Sequence, residues 1–231
     1  MTRAIALTRL LQLASPLLPV GAFSYSQGLE SAVDDKTVRD AAGAKRWILD
    51  CLEFGLARFE APIVLRLLRA WSAHDATGVR RWNTHFLASR ESAELLAETV
   101  QMGYSLRRLL IDLGAADGGL DARESADLES IEPLSYPAAY AFAAARWEIA
   151  PRDALTAYLW SWVENQVSAA VKAVPLGQVA GQRNLVAAQS AVTRAVDRAG
   201  AMADDELANL LPALAIASAR HETQYSRLFR S

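Results

Sequence analysis

Apolar residues in this chain recur at spacings of three and four rather than two. Ile48, Leu52, Leu56 and Phe59 form one such stripe. Leu95, Val100 (one place late), Met102, Leu106, Leu109, Leu110 and Leu113 form another. That spacing gathers side chains on one face of a helix. Alanine is abundant, which favours helix and permits close helix–helix approach. No run of β-branched residues alternates with polar ones for long enough to make a strand. The expected fold is therefore all-α, a single compact helical domain of about eight to ten helices spanning 1–231.

Caps and breakers divide the pattern. Thr37 with Asp40 reads as a capping pair opening a helix to about Phe59. Pro62 suits the first turn of the next, to about His74. Asp75 caps a short helix ending near Leu87, and Ser89 or Ser92 a long one ending at Gly114. Residues 114–135, with Gly118, Gly119, many acids and Pro133, read as an exposed loop with room for one helical turn. Ser135 starts a helix to about Trp147. Pro151 opens one containing Leu155, Leu159, Trp162, Val163, Gln166 and Ala170, which Pro175 ends. A further helix covers about 177–199, and Asp204 caps a last one to about Ala219. No linker interrupts this series.

Composition narrows the function. At 52% hydrophobic and 22% charged, the chain reads as a soluble globular protein. Its 24 basic and 26 acidic residues nearly balance, which argues against a nucleic-acid binder. Only Lys36, Lys45 and Lys172 are lysine. The remaining cations are arginine, whose planar fork suits interface ion pairs; a GC-rich genome gives the same bias. The single cysteine, Cys51, excludes an intrachain disulfide and a cysteine-rich zinc site, and reads as a small buried hydrophobe. No signal peptide is expected from the interrupted N-terminal run, and no membrane span, since no apolar stretch reaches about 18 residues. The expected location is cytoplasmic.

Reactive constellations are missing from the sequence. His74, His85 and His221 are scattered without metal-ligand spacing, and the first two fall near helix ends. There is no nucleophile elbow and no phosphate-binding loop. The acid pairs Asp34-Asp35 and Asp204-Asp205 are expected at helix starts, where the dipole favours them. No catalytic residue, metal site or cofactor is assigned.

Three segments stand apart. Leu10–Glu30 mixes leucines with Pro16, Pro19 and Gly21 and a polar-aromatic run, Phe23 to Gln27. It reads either as a connector or as a functional loop on a rigid base. In Val171–Gln182, Lys172, Gln178 and Gln182 flank a helix break, with the two glutamines on one helical face. In the tail from Ala219 to Ser231, Tyr225, Leu228 and Phe229 are spaced i, i+3, i+4 among Arg220, Arg227 and Arg230. Such a tail is costly to leave exposed, and docks either on its own body or as a helix in a partner's groove; of the two, partner docking is the expectation, with 220–231 as the docking tail.

These segments resemble the UreF family of urease accessory proteins. Leu-Gln-Leu-Ala-Ser-Pro-Leu-Leu-Pro-Val-Gly-Ala-Phe-Ser-Tyr-Ser-Gln-Gly-Leu-Glu, ending at Glu30, is similar to the family's N-terminal signature. Glu94–Leu109 resembles its central helix, Val174–Gln182 its late helix break and His221–Ser231 its C-terminus. Leu96 stands where many relatives carry a charge, and 114–129 matches no family segment. The resemblance implies an all-helical, dimeric, non-catalytic protein. It would join UreD (also called UreH) and the GTPase UreG on apo-urease, deliver nickel and help build the dinickel centre. It further implies that Arg220, His221, Gln224, Tyr225, Arg227, Leu228, Phe229 and Arg230 lie against UreD/UreH. Ser24, Tyr25, Ser26, Gln27 and Glu30, with Lys172, Gln178 and Gln182, would support the dimer or the UreG-facing surface. The competing readings are an unrecognised helical enzyme and a helical small-molecule-binding regulator, whose DNA-binding form the net charge disfavours.

Overall fold

The computed structural model describes residues 2–174 and 176–231. It is helical throughout, with no strand among the described residues. Its helices are α1 (Arg3–Ala14), α2 (Leu29–Asp34), α3 (Ala41–Asp50), α4 (Ala61–Ser72), α5 (Ala76–Ala88), α6 (Ala93–Leu113), α7 (Ala122–Glu129), α8 (Tyr136–Arg146), α9 (Pro151–Ala173), α10 (Gln178–Ala201) and α11 (Pro212–His221). Most starts follow local chemistry. Asp40 accepts a hydrogen bond from the Gly43 N–H, Asp75 from Gly78, Ser92 from Leu95 and Ser135 from Ala138. Pro175, expected to end α9, lies outside the described residues.

Pro62 falls in the first turn of α4, as expected, and the first correction concerns the break before it. The chain does not break before it: α3 and α4 form one continuous rod, joined by π-helical turns over Cys51–Glu60. Glu60 and Ala61 keep helical dihedrals, and the Ala61 N–H reaches back five residues to the Leu56 carbonyl. Pro62 has no N–H for the Arg58 carbonyl four residues earlier. That carbonyl instead accepts from the Ala208 N–H, at 3.3 Å, so the widened rod survives its proline.

The core forms around α4, in which Ala61 to Leu65, Leu67, Leu68 and Ala70 are all buried. It packs against α8, whose alanine-rich run Pro137–Ala144 is buried throughout. Small side chains let these backbones come close, the role expected of alanine here. The long helices α6, α9 and α10 complete the cluster.

Three further expectations are corrected. Residues 114–135 are more than a loop. Asp121 and Glu124 form a reciprocal capping box that starts α7, and Leu120, Leu128, Ile131 and Leu134 are buried beneath it. Asp204 does not cap the last helix but sits in a 3₁₀ turn (Asp204–Glu206), held by Arg66 at 2.7 Å. The last helix begins at Pro212, whose fixed φ suits a first turn. Asp34 and Asp35 stand at the end of α2, where Asp35 accepts from the Thr37 N–H (2.9 Å) and Arg220 (3.3 Å). Cys51 is buried as expected, and burial pushes its thiol up to about 12. No helix among the described residues is long and apolar enough to cross a membrane.

Candidate functional site

After His221 the chain leaves the helix and runs back over α2 and α6. Gly28, at φ +78°, makes this return possible. A Cβ there would meet the Ser218 N at 3.0 Å and the Ala217 Cβ at 3.2 Å, so only glycine lets α11 approach the start of α2. Ser92 and Ser218 share a hydrogen bond of 2.7 Å, which ties α11 to the first turn of α6.

Two carboxylates then grip the tail. Glu30 of α2 accepts the Leu228 N–H (2.7 Å) on one oxygen and the Phe229 N–H (3.0 Å) on the other. Glu94 of α6 accepts from Arg227, at 2.6 Å. The His221 ring, wholly buried, lies between them: Nδ1 is 2.7 Å from Glu94 and Nε2 is 3.2 Å from Glu30. Beyond Phe229, the Arg230 N–H donates to the Ser24 carbonyl (2.7 Å), and the Ser231 main-chain oxygen accepts from Ser26 N–H (2.6 Å), Gln27 N–H (3.0 Å) and Ser26 Oγ (2.5 Å). The Phe229 ring is the apolar plug, with Lys172 Nζ 5.7 Å from its centre, within cation–π range.

Glu98, one turn after Glu94, lies under the end of the tail. It accepts from Gln27 Nε2 (2.6 Å) and Ser231 Oγ (2.9 Å). Burial pushes its carboxyl up to about 7, against the pull of those two hydrogen bonds. The Gln27 amide oxygen accepts from Trp162 Nε1 at 2.6 Å, so one loop residue bridges α6 and α9. Beside it is a cavity of about 70 Å³ lined by Gln27, Glu60, Arg90, Glu98 and Tyr158 among others. That volume admits a few waters, since each needs about 10–15 Å³. Tyr158 donates to Glu60 at 2.5 Å, and burial holds its phenol well above the ordinary range.

The structure thus joins segments far apart in sequence: Ser24 to Glu30, α6, the end of α9 and the tail. It also sorts the expected contact residues. Tyr25, Ser26, Glu30, His221 and Phe229 are buried, Ser24, Gln27 and Gln224 half-buried, and Arg220, Tyr225, Arg227, Leu228 and Arg230 exposed. The tail therefore docks on its own body, and not as a helix. Its i, i+3, i+4 spacing marks no common face, because Phe229 points in while Tyr225 and Leu228 point out. The Ser24–Glu30 loop lies mostly beneath the tail. Lys172 reaches the cluster through Phe229, whereas Gln178 and Gln182 are exposed on α10 and make no hydrogen bond to it among the described residues. Glu94 and Glu98 went unassigned in the sequence. Their spacing of four, which sets both on one helical face, is the signal that marks them.

The molecule is an all-α protein organised around a clamped C-terminal strap. The UreF family model matches residues 38–189. A urease accessory protein UreF from Azoarcus sp. (strain BH72) is 59% identical over 229 residues, covering 98% of this chain and 96% of its own length. Proteins of the same description from Dechloromonas aromatica (strain RCB) and Methylobacillus flagellatus are 54% and 50% identical over 231 residues, the full length of both partners in each comparison. The chain belongs to the UreF family of urease accessory proteins.

Proposed function

We propose that this chain is a non-catalytic adaptor of urease maturation, a cytoplasmic homodimer that holds UreD/UreH and the GTPase UreG on apo-urease. In that role it regulates GTP hydrolysis by UreG and the delivery of nickel, as cargo, to the dinickel centre. Family membership over the whole length supports the maturation role. The observation that carries the adaptor reading is the strap itself. Tyr225 is fully exposed and Leu228 72% exposed, beside the exposed Arg220, Arg227 and Arg230, on a segment otherwise pinned by buried hydrogen bonds. Large apolar side chains displayed among arginines on an ordered backbone are effective interface anchors, because less backbone entropy is left to lose on binding.

On this reading Tyr225 and Leu228, with the arginines, meet UreD/UreH. Glu30, His221 and Phe229 serve the same contact from beneath by fixing the strap. Gln178 and Gln182, exposed on α10, with Lys172 beside the Phe229 ring, serve the dimer or UreG. The test is co-purification with UreD/UreH and with UreG. Tyr225→Ala combined with Leu228→Ala should lose UreD/UreH while keeping the helical circular dichroism. Retained capture by this doubly substituted chain refutes the strap as the contact.

A further inference from the structure

The strap is held mainly by charge and hydrogen bonds. Only Phe229 among its large apolar side chains is buried. Its grip centres on a ring with carboxylates on both sides. A neutral imidazole has one N–H donor and one acceptor, whereas an imidazolium has two donors. Glu30 already accepts two backbone N–H groups of the strap, and Glu94 already accepts from Arg227. Both contacts of His221 are therefore satisfied when the ring donates from both nitrogens. The charges then cancel, Glu30 and Glu94 against His221 and Arg227. Without the ring proton, the buried cluster carries one uncompensated negative charge, a costly state away from water.

The surrounding charges do not replace that proton. From α9, Lys172 faces the Phe229 ring rather than either carboxylate. From α11, Arg220 is engaged by Asp35. From the strap, Glu222 accepts the Ala93 N–H at the start of α6. From α6, Glu98 adds a third carboxyl group below Ser231.

We propose that residues 222–231 are a proton-dependent strap, closed while His221 is an imidazolium clamped between Glu30 and Glu94 and released when the ring loses its proton. Release uncovers Glu30, Ser26 and the Phe229 site, and frees Tyr225 and Leu228 from their fixed positions. The inference concerns this chain alone and does not depend on which partner the strap meets.

The test is amide exchange on the full chain at about pH 6 and about pH 8.5, either side of the range where histidines ordinarily titrate, corrected for the intrinsic exchange rate. The Leu228 and Phe229 amides should lose protection about tenfold or more at the higher pH while Leu159 and Val163 in α9 hold theirs. The ¹⁵N shifts of the His221 ring should show both nitrogens protonated in the closed form and one in the released form. His221→Gln should abolish the step, and Glu94→Gln should do so as well should the first variant not fold. Glu98→Gln should retain it. Equal protection at both pH values, a step that survives His221→Gln, or a step lost only in Glu98→Gln overturns the proposal.

Discussion

Glu98 shows how one buried side chain ties the stability of this protein to pH. Its carboxyl is raised from 4.5 to about 7 by burial, so the native state holds that proton more tightly than the unfolded chain does. The resulting stability is whole below about pH 4.5 and is lost as the pH rises through about 7, on the order of 3 kcal/mol in all. Denaturation in urea at a series of pH values should show this decline, and Glu98→Gln should flatten it. A decline of the same size in that variant would assign the effect to another group. His221 makes a different point at the same scale. Its partners Glu94 and Glu30 stand 127 and 191 residues away in sequence. No local spacing announces such a clamp, so the histidine read as one of three scattered rings until the fold closed around it.

Among the elements, α6 lies at Gly103 directly against the backbone that leads into α8. A Cβ there would collide with the Leu134 carbonyl oxygen and meet the Ser135 carbonyl carbon at 2.8 Å, both backbone atoms that cannot rotate aside. Gly103→Ala should cost about 1–3 kcal/mol, read as a lower melting temperature. Ser92 caps α6 and also bonds Ser218, so Ser92→Ala removes a cap and leaves a hydroxyl without its partner. The expected loss is about 1–2 kcal/mol by chemical denaturation, and Ser92→Thr should recover part of it. The starts of α5, α6 and α8 were legible because a cap acts within four residues. The α3–α4 rod was not. There π-helical turns run on into α4, and the Arg58 carbonyl is taken up by the Ala208 N–H, a contact from a distant loop.

In the whole molecule, the clamped strap separates residues that build the surface from residues that make it. Phe229→Ala should destabilise the strap, seen as faster exchange of the Leu228 amide, because it empties the one apolar anchor. Tyr225→Ala with Leu228→Ala should leave the melting temperature unchanged within about 0.5 kcal/mol of stability, as expected for exposed side chains, and yet lose UreD/UreH. Lys172→Ala should alter GTP turnover by UreG in a reconstituted mixture while the fold persists. Unaltered turnover would reduce Lys172 to a support for Phe229.

By itself the sequence determined that the chain would be helical, where several of the helices begin, and that no metal cluster or phosphate loop is encoded in a recognisable motif. Those properties are set by neighbours a few residues apart. Tertiary structure alone decided that the tail lies on its own body, that Tyr225 and Leu228 face out while Phe229 and His221 face in, and that Glu30, Glu94 and Glu98 converge. A hydrogen bond or a buried face needs a partner brought from elsewhere in the chain, and periodicity specifies that a side chain must be covered without saying by what.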